Sequence, residues 1–92
     1  MILTIDIGNS NIVLGGVDAE NIVFEARLRT DATKTSDEYC IDLKMILDVY
    51  NVSAGCIEGA IIASVVPQVL NSMQTAVKRS LLMKPLRNIW AK

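Results

Sequence analysis

Hydrophobic and polar residues alternate along the chain in a way that separates strand-like stretches from helix-like ones. Alternating or near-continuous apolar residues predict four strands, at residues 2–7, 12–17, 22–30 and 57–66. Apolar residues at helical spacing predict two helices. One begins after Thr35, because Thr35 and Glu38 fit a capping box, and the other runs from Pro67 to Leu81 or Leu82. A weaker pattern predicts a fifth short strand within residues 85–92.

The composition of each strand predicts its place in a sheet. Residues 12–17, and 60–63 with 65 and 66 in the stretch 57–66, are apolar at successive positions, which is typical of strands covered on both faces. Residues 22–30 alternate apolar and charged side chains, as an edge strand does. Short connections and right-handed crossovers favour the spatial order 3-2-1-4-5. We therefore expect an α/β fold, a mixed sheet with helices packed on it, of the ribonuclease H-like kind that forms half of an actin-like ATPase.

The first strand ends in a polar turn that carries the candidate chemistry. Asp6 is followed by Gly8 and then by Asn9, Ser10 and Asn11. Turn N–H groups and a hydroxyl can cradle a phosphate, and a nearby carboxylate can hold the Mg²⁺ that accompanies it. The alternative is an ordinary hairpin turn, because glycine, asparagine and serine are common in such turns.

Composition narrows the classes of function. The 92 residues allow one domain at most, and a net charge of -1 argues against nucleic acid as the main partner. No apolar run approaches the length of a membrane span, and no secretory signal is predicted, so we expect a cytoplasmic protein. Histidine is absent, which excludes Ser-His and Cys-His nucleophiles. Cys40 and Cys56 are expected to be buried, reduced thiols.

Three motifs in order resemble the N-terminal lobe of type III pantothenate kinase. The first is Asp6 to Asn11, the second runs from Arg27 to Asp31 and on through 34–39, and the third is Ile62 to Pro67. The resemblance covers residues 1–86, and residues 87–92 diverge from it. It implies ATP-dependent phosphorylation of pantothenate, the first step towards coenzyme A.

The resemblance also implies roles for individual residues. Asp6 would help to hold Mg²⁺ through its water shell, and four turn residues would line the ATP phosphates: Gly8, Asn9, Ser10 and Asn11. Lys34 would approach the same region, although a solvated lysine fits the sequence equally well. Ser64 would border the cleft, although a small residue required for packing is an equal alternative. The full-length enzymes of the family can also use a monovalent cation.

The chain departs from the family pattern after its first phosphate motif. It contains no Gly-Pro-Gly loop, no Gly-x-Asp-Arg segment and no Asp-Gly-Thr motif, so no catalytic residue is assigned. We expect residues 1–92 to form a single truncated lobe, inactive alone, and three origins stay open: deliberate shortening, a frameshift or a degenerate gene. Apolar surface without its partner lobe favours homo-oligomers. The alternative function is a non-catalytic or transcription-regulatory protein, since some members of the family are described as Baf transcriptional activators.

Overall fold

The computed structural model describes residues 1–81 and the backbone of residues 87–91. Five strands, two α-helices and one short 3-10 helix follow each other along the chain: β1 (Ile2–Ile7), β2 (Asn11–Asp18), β3 (Asn21–Arg29), α1 (Ser36–Val49), the 3-10 helix (Ala54–Cys56), β4 (Gly59–Ser64), α2 (Pro67–Ser80) and β5 (Arg87–Ala91).

The first four strands form a mixed sheet in the order β3-β2-β1-β4, which confirms the order predicted for them. Strand β2 runs antiparallel to both of its neighbours, β1 and β3, whereas β4 is parallel to β1. The β5 backbone lies parallel to β4 at the far edge of the sheet. Strand β1 is therefore a central strand, with β2 on one side and β4 on the other.

Three residues of the predicted fifth strand, 85, 86 and 92, lie outside the described residues. The alternative end of the second helix, at residue 82, lies outside them too.

One face of the sheet packs against both helices. Leu3, Ile5 and Ile7 point into this core, as the alternation in β1 predicts. From the helices, the core takes Tyr39, Leu43 and Leu47 of α1 and Val69, Met73 and Val77 of α2. Helix α1 begins at the predicted capping box, in which Thr35 accepts a hydrogen bond from the Glu38 N–H and the Glu38 carboxylate accepts one from the Thr35 N–H.

The other face of the sheet is open, and the predicted burial of two strands on both faces is wrong. Ile61 of β4 is 39% exposed, and Val13 and Val17 of β2 are only half-buried. The sequence could not show this because apolar residues occupy both faces of these strands, whether or not a helix covers them. Strand β4 is shorter than predicted: it begins at Gly59, because the Ile57 N–H is bound to the Ala54 carbonyl of the 3-10 helix, and it ends at Ser64.

The two glycines of β2, Gly15 and Gly16, lie at a bulge and at a close contact. The register between β2 and β3 shifts between Gly16 and Val17. The Phe24 ring lies so near Gly16 that a Cβ at that position would be 2.5 Å from the ring. Glycine is therefore required there by space.

Both cysteines are free thiols, but the predicted burial of both is wrong. Cys40 is half-buried on α1, and Cys56 is exposed in the 3-10 helix. Cys56 is exposed because no side chain of the 3-10 helix is buried in the core. Within the described part of the chain, no helix combines the length and apolar character needed to cross a membrane.

Candidate functional site

Asp6 lies on the open face of the sheet, one residue before the end of β1. Its neighbours across the sheet are Val13 of β2 and Ala63 of β4. Its side chain is exposed, and it makes no hydrogen bond or ion pair with any described residue. This carboxylate is therefore available to a ligand or to hydrated metal ions.

The turn after β1 joins β1 to β2, so it is a hairpin turn as well as the candidate phosphate site. The Gly8 N–H donates to the Asn11 carbonyl at 2.9 Å and closes the turn. Asn9 and Ser10 are exposed, and their backbone N–H groups have no acceptor among the described residues. No residue of the turn has a positive φ, so the backbone conformation does not require glycine at position 8. The close packing favours it instead, because a Cβ there would lie 3.2 Å from the Asn11 oxygen.

Ser64 ends β4 at the same edge of the sheet as this turn. It is paired with Ile7 and thus points towards the helices, whereas Asp6 points to the open face. The Ser64 hydroxyl accepts from the Val66 N–H at 2.9 Å and donates to the Val66 carbonyl at 3.0 Å. These bonds shape the passage from β4 into α2, which favours the structural alternative for this serine.

An apolar cavity of about 530 Å³ opens beside Ser64. Val65, Pro67 and Leu70 line it, and the Val65 N–H donates to the carbonyl of Ile7 at 3.1 Å. The cavity therefore lies near the end of β1 from which the turn begins. Its volume falls within the range of small-molecule sites, and α/β sheets bind ligands at this strand end.

Lys34 is held by α1 rather than by the turn. Its Nζ lies 2.7 Å from Asp42 Oδ2 and 5.6 Å from the centre of the Tyr39 ring. The hydrogen bond to Asp42 is the main cause of a raised Lys34 pKa. No described contact joins Lys34 to the turn, so a phosphate role for this lysine stays a prediction.

Thr30 binds the turn through two hydrogen bonds, although the sequence predicted no role for it there. The Thr30 hydroxyl donates to the Gly8 carbonyl at 2.8 Å, and the Thr30 N–H donates to the Ser10 carbonyl at 3.0 Å. The next residue, Asp31, is bound through its backbone by the buried Tyr39 hydroxyl. The sequence indicated such a contact only through the predicted burial of Tyr39 on the first helix, because a buried tyrosine hydroxyl needs a hydrogen-bond partner.

Two arginines lie on the same face of the sheet as Asp6. Arg27 pairs with Val13, which in turn pairs with Asp6, and Arg29 pairs with Asn11 of the turn. Both side chains are exposed. Positive charge beside the turn is favourable for an anionic ligand such as a phosphate group.

The acidic side chains near the turn fit a magnesium ion that keeps its water shell better than one enclosed by protein ligands. The described residues contain no cluster of three or more acidic, cysteine or histidine side chains that could enclose a metal. Mg²⁺ in nucleotide sites is held by one or two carboxylates, by water and by phosphate oxygens. Asp6, exposed and unpaired among the described residues, meets that requirement.

Comparison with known proteins gives the chain its family. The family model of type III pantothenate kinase matches residues 2–89. Type III pantothenate kinases from an Exiguobacterium species and from Finegoldia magna are each 45% identical to it over 86 residues, 94% of this chain. The chain spans about a third of these relatives, 34% and 33% of their lengths. The RuvC structure of Thermus thermophilus shares the fold, with a TM-score of 0.57 at 14% identity over 97% of this chain and 60% of RuvC. The chain belongs to the type III pantothenate kinase family.

Proposed function

We propose that the turn at residues 8–11, together with Asp6, binds the phosphates of Mg-ATP for the phosphorylation of pantothenate, the first step towards coenzyme A. Two observations carry this proposal: the exposed Asp6 carboxylate near the end of the strand that leads into the turn, and the backbone N–H groups of Asn9 and Ser10, which lack described acceptors. The proposed reaction is inferred from membership of the type III pantothenate kinase family. The fold shared with RuvC supports the ribonuclease H-like half of an actin-like ATPase as its structural class.

The residues of the site divide the work of phosphate binding. The N–H groups of Asn9 and Ser10 donate to phosphate oxygens, and the Ser10 hydroxyl is a further donor. Asp6 would hold the water shell of Mg²⁺, which would supply charge neutralisation on the phosphates. Phosphoryl transfer depends mainly on such positioning and charge neutralisation.

The chain alone is expected to bind without turning over. It spans about a third of its relatives' length, and it contains neither the Gly-x-Asp-Arg segment nor the Asp-Gly-Thr motif of the family pattern. ATP-dependent phosphorylation of pantothenate by the purified 92-residue protein would contradict this expectation. No observation favours the transcription-regulatory alternative.

We also infer that copies of the chain associate in the cytoplasm. Exposed apolar side chains on α1 support association: Ile41 at 57%, Met45 at 61% and Val49 at 73%. Light scattering across a concentration series tests it. A mass that stays at that of one chain at high concentration would refute it.

Calorimetric titration with Mg-ATP tests the phosphate site. Asp6→Asn removes the carboxylate charge while preserving side-chain size, and we expect it to weaken binding markedly. Asp18→Asn is the matched control, because Asp18 is an exposed acid at the opposite end of β2. Identical isotherms for the unaltered chain and for Asp6→Asn would reject the site.

A further inference from the structure

Thr30 occupies two of the carbonyl groups in the candidate phosphate turn. Its hydroxyl donates to the Gly8 carbonyl at 2.8 Å, and its N–H donates to the Ser10 carbonyl at 3.0 Å. The Asn11 carbonyl is taken by the Gly8 N–H. Three carbonyl oxygens of the turn are therefore bound within the protein.

These bonds also determine where an N–H group of the turn points. A trans peptide is planar, so its C=O and N–H bonds point in opposite directions. Because the Gly8 carbonyl points at Thr30, the N–H of Asn9, which belongs to the same peptide, points away from Thr30. A carbonyl turned the other way would present a negative oxygen to a phosphate in place of a donor.

Thr30 is itself held in place through the core. Asp31, the next residue, donates its N–H to the Tyr39 hydroxyl at 3.1 Å, and this hydroxyl donates to the Asp31 carbonyl at 2.8 Å. The Tyr39 side chain is fully buried on α1. A continuous series of contacts thus joins the helix to the turn.

We propose that Thr30 is a positioning residue for anion binding: its hydroxyl holds the Gly8 peptide so that the Asn9 N–H faces the ligand. This inference rests on the proposed function, because it assigns Mg-nucleotide phosphate as the ligand of the turn. The two are nevertheless separable. The orientation of the Asn9 N–H can be measured without any ligand.

The test compares two substitutions at one position. Thr30→Val keeps the shape but loses the hydroxyl, whereas Thr30→Ser keeps the hydroxyl. We expect Thr30→Val to weaken Mg-ATP binding by up to about tenfold, the effect of one hydrogen bond, and Thr30→Ser to restore it to within about twofold. Thr33→Val is the matched control, because the Thr33 hydroxyl binds Asp31 Oδ1 and not the turn.

Residual dipolar couplings of the Asn9 N–H, measured without ligand, distinguish this inference from the proposed function. We expect the coupling to change in Thr30→Val and to return in Thr30→Ser; Thr30→Ala replaces the valine variant if that variant does not fold. An unchanged Asn9 coupling, or equal nucleotide affinity for the valine and serine variants, would overturn the inference. If the unaltered chain does not bind Mg-ATP, the proposed function fails, and the couplings still decide the role of Thr30.

Discussion

Removal of one buried hydroxyl, in Tyr39→Phe, should destabilise the chain measurably. The hydroxyl makes two hydrogen bonds, one with the Asp31 N–H at 3.1 Å and one with its carbonyl at 2.8 Å. The ring remains in the core, so the change creates no large cavity. Leaving buried backbone groups without partners costs about 1–3 kcal/mol, and the half-buried position of Asp31 favours the lower half, about 1–2 kcal/mol.

Urea denaturation followed by circular dichroism measures this loss. With a slope of about 1 kcal/mol per molar urea for so small a domain, the midpoint should fall by about 1–2 M. Tyr50→Phe is the matched control: Tyr50 is 44% exposed, and its hydroxyl has no partner among the described residues. The control should change stability by less than about 0.5 kcal/mol. Equal midpoints for the two variants would show that the bonds between Tyr39 and Asp31 do not stabilise the fold.

Three further substitutions test local features of the fold. Thr35→Ala removes the helix cap and should cost about 1 kcal/mol in urea denaturation; an unchanged midpoint would discount the capping box. Gly16→Ala places a methyl group against the Phe24 ring and should cost about 1–3 kcal/mol; a thermal melt that coincides with that of the unaltered chain would contradict this. Hydrogen bonds from Thr33 lower the pKa of Asp31 below 3.8. The stabilisation of the folded state by this ionised carboxylate is therefore complete above pH 3.8 and is lost as the pH falls through the lower folded pKa. Asp31→Ala should thus lower the thermal midpoint at neutral pH but not at the lowest pH, and a difference that persists throughout would refute the assignment.

Much of the fold follows from local patterns in the sequence. The alternation of β1 predicts which side chains enter the core, and the capping box at Thr35 predicts the start of α1. The face of β4 was not predictable in this way. Its apolar residues occupy both faces without a polar residue to mark the exposed one, so the exposure of Ile61 depends on which side of the sheet the helices occupy.

The position of the candidate site could be predicted from the sequence, but the side-chain contacts around it could not. The order of Asp6, the turn and the strands places a carboxylate and a hairpin at one edge of the sheet. The partner of Lys34, in contrast, is Asp42, eight residues away, and that pairing depends on how the loop before α1 folds. Tyr39 has the spacing of a core residue, and its second role through its hydroxyl depends on the same loop.

Nuclear magnetic resonance titration tests most directly the claim that the turn at residues 8–11 binds nucleotide phosphates. The backbone N–H signals of the ¹⁵N-labelled chain are followed as Mg-ATP is added. We predict that the largest shifts occur at Asn9 and Ser10, that they saturate, and that Asp6→Asn reduces them while Asp18→Asn does not. Saturable shifts centred away from the turn, or no shifts at all, would contradict the account.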